Sequence, residues 1–359
     1  VISLFLILAV VAALTSCNQP SEKQENTKVN KIILFIGDGM GLNEVFAAMA
    51  SNHDSLCIDR ADQVSFQKNQ PVKDYITDSA ASGTALATGS KTTNGRIGQD
   101  SAGIALESIL KVAEKHGYAT GLVATSAITH ATPASFIANQ PVRDMYEAIA
   151  ADFLKTDIDV FIGGGYAHFT ARADSLNLAD SLRARCYKVV YGLDSIMNLH
   201  SGKLAGFTAQ VHNPPVNQGR GDMLLRSTQK AVELLDQNDK GFFLMVEGSQ
   251  IDWGGHANDA SYVISETLDL NKVVEWALDY AAADGHTLII LTADHETGGM
   301  IVLDVDPATR EVKTTFTTGD HTPQMIPVYA FGPGSEYFTG VYQNSDIKKK
   351  MMQAYGWTE

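Results

Sequence analysis

The sequence predicts a three-layer α/β sandwich, a central and mostly parallel sheet flanked by helices. Seven short runs are almost continuously apolar, as strands covered on both faces must be. Between them lie amphipathic stretches with helical spacing, and this alternation is the mark of a parallel sheet sandwiched by helices. No internal repeat or long linker interrupts the pattern.

Taken in order, the strands are expected at KIILFIGD (31–38), YATGLVAT (118–125), DVFIGGG (159–165), YKVVYG (187–192), GFFLMVEG (241–248), TLIILTAD (287–294) and IPVYAFG (326–332). Helices are expected over 101–117, 143–155, 222–237 and 261–285. Two of these end in Gly, at Gly117 and Gly285, a residue that readily takes the left-handed conformation closing a helix. The sandwich is expected to be a single domain over 31–359.

The N-terminus reads differently. Residues 1–14 contain one polar side chain, Ser3, and no charge. A run of that length falls short of the roughly 20 residues that span a bilayer and fits the apolar region of a signal peptide. Leu14-Thr15-Ser16-Cys17 then resembles a bacterial lipobox, in which the cysteine is lipidated. The alternative is an ordinary cysteine behind a signal peptide. Residues 1–16 are therefore expected to be a lipoprotein-type signal peptide and residues 17–30 a polar tether. Export to the periplasm or cell surface, anchored through Cys17, follows as an expectation. Cys57 and Cys186 have no spacing signature, so their pairing stays open.

Charge narrows the function. Among 359 residues, 27 Lys plus Arg face 41 Asp plus Glu, a net charge of −14. No basic stretch exists to neutralise a nucleic-acid backbone. An acidic protein that holds an anionic substrate needs local positive charge, most economically from metal ions.

Ligands of such sheets bind beyond the carboxyl ends of the strands. Asp38, Glu247 and Asp294-His295 all fall there. Carboxylates gathered without Lys or Arg repel one another unless cations sit among them. Asp252 and His256, four apart in a Gly-rich loop, suit a tetrahedral zinc site, and Glu247 offers a hard oxygen suited to magnesium. His321, in TTGDHTP, is a further candidate ligand. His53, His116, His168, His200, His212 and His286 show no comparable setting and receive no role. Ser79 opens DSAASGTALATG, where a helix N-terminus would favour an anion; a plain N-cap is the competing reading.

FIGDGMG around Asp38, TDSAASGTALATG around Ser79, THATPAS around Thr132, VEGSQIDWGGH and TADHETGG together resemble the alkaline phosphatases. They stand in that family's order and the resemblance runs from Lys31 to Trp357. It implies two Zn2+ and one Mg2+ per chain. Asp252, His256 and His321 would hold the first zinc, and Asp38, Asp294 and His295 the second, with Ser79 facing both. Asp38, Thr132 and Glu247 would hold magnesium. Arg143 matches the family's phosphate-clamping arginine, whose planar fork takes two phosphoryl oxygens.

The implied reaction is hydrolysis of phosphate monoesters through a phosphoserine on Ser79, and a homodimer is the implied assembly. His130 and Trp253 stand beside these ligands, where many relatives have Asp and Lys; the pairing resembles the cold-active Antarctic members. A neutral His130 is expected to let zinc compete with magnesium, and Trp253 to weaken the hold on product phosphate. Only 25 residues separate His295 from His321, too few for a large inserted domain. A phosphodiesterase of the same superfamily would lack the magnesium ligands and Arg143. A sulfatase would need a C/S-x-P-x-R motif, which is absent around Ser79. A non-catalytic metal- or phosphate-binding lipoprotein is the reading from another class.

Overall fold

The computed structural model describes residues 28–358. The expected signal peptide, Cys17 and most of the tether lie outside the described residues. In chain order the strands are β1 (Lys31–Gly37), β2 (Gln63–Lys68), β3 (Ala119–Ala127), β4 (Val160–Gly164), β5 (Lys188–Tyr191), β6 (Leu204–Phe207) and β7 (Phe242–Gly248). They continue with β8 (Thr287–Thr292), β9 (Glu296–Thr297), β10 (Met300–Val305), β11 (Val312–Phe316), β12 (His321–Thr322), β13 (Ile326–Phe331) and β14 (Val341–Gln343). The helices that matter below are α1 (Leu42–Ser51), α2 (Ser79–Thr88), α3 (Ile109–His116), α4 (Ala131–Ile137), α5 (Tyr146–Asp152), α6 (Met223–Leu235), α7 (Ile251–His256), α8 (Ala260–Asp284) and α9 (Asp346–Tyr355).

Ten strands form one sheet in the order β14-β2-β13-β8-β1-β7-β3-β4-β6-β5. All neighbours are parallel except β13, which runs against both β2 and β8. The central strand β1 shows why the sheet is covered on both sides. Ile32, Leu34 and Ile36 pack under α2, α3, α4 and α9, while Ile33 and Phe35 pack under α1, α6 and α8. Period-2 alternation sends successive side chains to opposite faces, so a strand buried on both must be apolar throughout.

The seven expected strands all appear, with two differences. YKVVYG is the edge strand β5 and is half-exposed rather than buried. β13 is antiparallel, a direction its apolar run alone does not encode. β2, β6 and β14 were not expected; they are 6, 4 and 3 residues long. The helix expected over 101–117 begins only at Ile109, capped by the Ser108 side chain. Ahead of it, Asp100 accepts from the Ala102 and Ile104 backbone N–H groups and Gly103 has a φ of +86°, which makes a turn instead. The helix expected over 143–155 shortens to α5 with a 3-10 turn at Phe153–Lys155. Cys57 is buried, Cys186 exposed, and both are free thiols.

Register places the site. Ile36 lies opposite Glu247 on β7 and opposite Thr292 on β8. Asp38 and Asp294, each two residues further on, therefore leave neighbouring strands at one level. The span from His295 to His321 holds the β10–β11 hairpin and the two-residue β9–β12 pairing, which sets His321 opposite Thr297.

Candidate metal centre and nucleophile

Asp252 and His256 lie four apart on α7, one turn of helix on one face. His321 joins them from β12. Asp252 Oδ1 is 3.3 Å from His256 Nε2 and 3.4 Å from His321 Nε2, and the two imidazole nitrogens are 3.2 Å apart. Donors on a tetrahedron around zinc, each at 2.0–2.1 Å, stand about 3.3 Å from one another. These three atoms form one face of such a tetrahedron and leave its fourth corner open.

The second group repeats these edge lengths at His295, and all its donor atoms lie within 4.8 Å of one another. His295 Nε2 is 3.4 Å from Asp38 Oδ1 and 3.3 Å from Asp294 Oδ2. Ser79 Oγ supplies the fourth corner, 3.2 Å from His295 Nε2 and 3.5 Å from Asp38 Oδ1. All four side chains are buried.

Tautomers follow from the partners. His256 Nδ1 and His321 Nδ1 each lie 2.7 Å from a backbone carbonyl, of Gly319 and Thr77. A carbonyl only accepts, so both imidazoles carry their proton on Nδ1 and turn the Nε2 lone pair inward. Thr297 Oγ1 donates to Asp252 Oδ1 at 2.5 Å, which leaves it to accept from His295 Nδ1 at 3.2 Å. The third histidine is thereby set the same way.

Asp38, His130 and Glu247 form a third group whose ligand atoms lie within 4.8 Å of one another. His130, placed by the sequence beside the magnesium ligands, is thus itself within ligand range. Thr132, expected there, is fully buried at the start of α4. Asp38 Oδ2, Glu247 Oε1, Thr132 Oγ1 and His130 Nδ1 are all buried without a protein partner. Glu247 Oε2 accepts from Ser249 Oγ at 2.6 Å. Orphaned buried oxygens cost free energy unless something satisfies them, and a hard cation fits this donor set.

The electrostatics agree. Burial pushes Asp38 well above the usual carboxylate range, and Asp294, Asp252 and Glu247 push it further. Burial also raises Glu247 to about 7 and, with Asp252, Asp294 to about 6. Asp252 goes the other way: burial raises it, but the surrounding His321, His295 and His256 rings hold it low. Burial, with the Arg143 charge, takes His130 down to about 3, so its ring is neutral.

Ser79 is the first residue of α2, and Asp78 is the N-cap, accepting from Ala81 N at 2.9 Å. The N-cap reading of Ser79 is therefore replaced: Asp78 caps, and the Ser79 hydroxyl is free to face the second group. Arg143 Nη1 donates to Asp78 Oδ2 at 3.1 Å and Nη2 lies 3.4 Å from His130 Nε2. Gly39, with a φ of +75°, lets β1 turn under α7; a Cβ there would stand 2.6 Å from Asp252 Cα.

Three contributors escaped the sequence reading. Thr297 was passed over inside TADHETGG. Asp78 had a usable signal, since Asp directly before a helix is a common cap. His212, given no role, lies against His130 and Trp253 with ring centroids 5.9 and 4.9 Å away. It follows β6, a strand too short to read, so nothing marked it as standing at a strand end.

The family model for alkaline phosphatase matches residues 29–309. Alkaline phosphatase 4 of Bacillus subtilis is 31% identical, over 91% of this chain and 88% of its own. The solved alkaline phosphatase of the Antarctic bacterium TAB5 is 37% identical and superposes with a TM-score of 0.87, over 93% of this chain and all of its own. A histidine-to-glutamate variant of that enzyme, solved with magnesium in its M3 site, matches at 36% identity and the same TM-score, over 93% of this chain and all of its own. Sheet, donor groups and relatives agree, and the chain belongs to the alkaline phosphatase family of phosphomonoesterases.

Proposed function

We propose that this chain hydrolyses phosphate monoesters through a phosphoserine on Ser79, at a centre of two Zn2+ and one Mg2+. The observation that carries it is Ser79 Oγ at 3.2 and 3.5 Å from His295 Nε2 and Asp38 Oδ1, on the N-terminus of α2, with Arg143 beside it. Asp252, His256 and His321 would hold one zinc, Asp38, Asp294 and His295 the other. Asp38, Thr132 and Glu247, with His130 in range, would hold the magnesium. Bound there, the ions would supply the positive charge that lowers the Ser79 hydroxyl pKa and neutralises the phosphoryl and leaving oxygens.

The chain's own residues do the rest. Arg143 binds two phosphoryl oxygens in its fork, steadied by Asp78. The N-terminus of α2 favours the anion through its dipole and free N–H groups. Ser79 Oγ forms the new bond to phosphorus as the ester P–O bond breaks on the far side, and the alcohol departs. Water then attacks phosphorus, phosphate leaves, and Ser79 recovers its proton. These contacts fall on the transferred phosphoryl group, which supports broad tolerance of leaving groups.

His130 adds a nitrogen donor to the third group, softer than the oxygen set magnesium prefers, so zinc competes there. The Antarctic variant holding magnesium carries glutamate for a histidine, a change toward the harder oxygen donors that magnesium prefers. Export, a lipid anchor on Cys17 and a homodimer belong to the same reading. Their support is the 14–17 lipobox pattern and the family resemblance; metabolic lipid labelling and sedimentation equilibrium test them.

The test of the reaction is hydrolysis of p-nitrophenyl phosphate beside bis(p-nitrophenyl) phosphate at alkaline pH, after chelation and after restoring zinc and magnesium. Monoester preference that is lost and regained with metal is expected. Diester preference would favour the phosphodiesterase reading. Metal binding without turnover of either would favour the binding lipoprotein.

A further inference from the structure

His212 stands on the loop after β6, among groups the proposed reaction uses but in none of the three donor groups. Its ring, with His130 and Trp253, makes a trio of edge-to-face contacts. Centroids are 4.9 Å apart for His212–Trp253, 5.9 Å for His130–His212 and 6.2 Å for His130–Trp253, at 80°, 85° and 84°. Edge-to-face rings at this range attract through their quadrupoles beyond the area they bury.

The placement is built. His212 Nδ1 accepts the Ala127 N–H at 3.0 Å, so the ring is neutral and carries its proton on Nε2. Before it, Thr208 N donates to Gly163 O at 2.8 Å, while Tyr166 N and Ala167 N donate to Ala209 O and Gln210 O at 3.2 and 2.9 Å. After it, Asn213 Nδ2 donates to Thr125 O at 3.0 Å, and Gln250 Nε2 donates to Asn213 O at 2.9 Å. Gly164 admits the loop, since a Cβ there would stand 2.1 Å from Val211 O. Gln250 directly precedes α7, so one short linkage ties the His212 loop to the helix carrying Trp253.

We infer that His212 is a positioning residue of the active site, whose neutral ring holds Trp253 and His130 in place. His130 Nε2 lies 3.4 Å from Arg143 Nη2, so the trio sets one side of the phosphate-binding guanidinium. Freed from His212, the indole and imidazole rotate, and both ester and product phosphate are held less well. This rests on the phosphatase reading for its kinetic arm and on ring packing for its optical arm.

Two variants separate ring from hydrogen bond. His212→Asn keeps an acceptor where Nδ1 stood and removes the ring; His212→Phe keeps the ring and leaves Ala127 N–H unpaired. With p-nitrophenyl phosphate, His212→Asn is expected to raise KM and the phosphate inhibition constant together, by about threefold, without halving kcat. Its Tm should stay within about 2 °C of the parent. Acrylamide quenching of the Trp253 fluorescence, assigned by a Trp253→Phe control, should increase. His212→Phe is expected to keep KM and quenching and to lower Tm, because a buried donor is left unpaired. Parental KM and quenching in His212→Asn, or equal kinetic shifts in both variants, would overturn the inference. A parent protein that does not turn over would overturn the phosphatase reading, while the quenching comparison would still decide the positioning.

Discussion

Asp78 Oδ2 accepts Arg143 Nη1 at 3.1 Å, and the other oxygen of the same carboxylate caps the helix that begins with Ser79. One side chain therefore sets both the nucleophile's helix and the guanidinium that would grip phosphate. Asp78 also accepts from Gly95 N at 2.9 Å. Asp78→Asn retains a capping oxygen but loses the charge and turns an amide N–H toward the Gly95 and Arg143 donors, so KM should rise and Tm fall. Asp78→Ala loses both, and should in addition cost about 1 kcal/mol of stability in denaturant unfolding.

Ser79→Ala removes the attacking oxygen and one corner of the second group. Turnover should fall by about a thousandfold or more, and acid-quenched protein should no longer trap radiolabel from phosphate. Zinc content should persist, since three protein donors remain in each group.

Glu247 and Asp294, raised to about 7 and about 6 by burial first, hold protons in the metal-free protein that a cation must displace. Calorimetric metal titrations in buffers of different ionisation enthalpy should show proton release near pH 6 that shrinks toward pH 9. The sign for stability is the reverse of the usual carboxylate. Folded values above the unfolded ones make these two groups stabilise the metal-free fold at low pH, and that contribution is lost as pH rises through about 6 to 7.

His130→Asp exchanges a nitrogen donor for a hard oxygen and adds a negative charge to the third group. Magnesium affinity should increase and zinc should no longer compete as well, read as the magnesium concentration that half-restores activity of chelated protein.

Trp253→Lys returns a positive charge beside the phosphate position. The inhibition constant for inorganic phosphate should fall by about fivefold, with slower turnover if product release limits the rate.

The ligand-bearing strand ends were legible because β1, β7 and β8 are central strands, apolar on both faces, and their runs stop at Asp38, Glu247 and Asp294. The edges were harder to read. β14 is three residues long and β6 four, too short for a period to register, and β2 alternates burial instead of being apolar throughout. β2 nonetheless supports the site: Gln67 Nε2 donates to Ala293 O at 2.6 Å, and Asn69, just beyond its end, donates to Asp294 O at 3.1 Å. Such contacts join residues more than 200 apart, and no local pattern encodes them. The early turn at Asp100–Ile104 shows the converse, a helical period overridden by one side chain bonding its own backbone.

Thr297 touches both zinc-type groups at once, donating to Asp252 and accepting from His295, while its backbone pairs with His321. The two groups consequently share a common frame, and neither can change shape alone. Filling one would preorganise the other, so the isotherm for zinc should be steeper than that of two independent sites. Chelation should strip the pair together, and partially loaded molecules should be scarce at every stage of the titration.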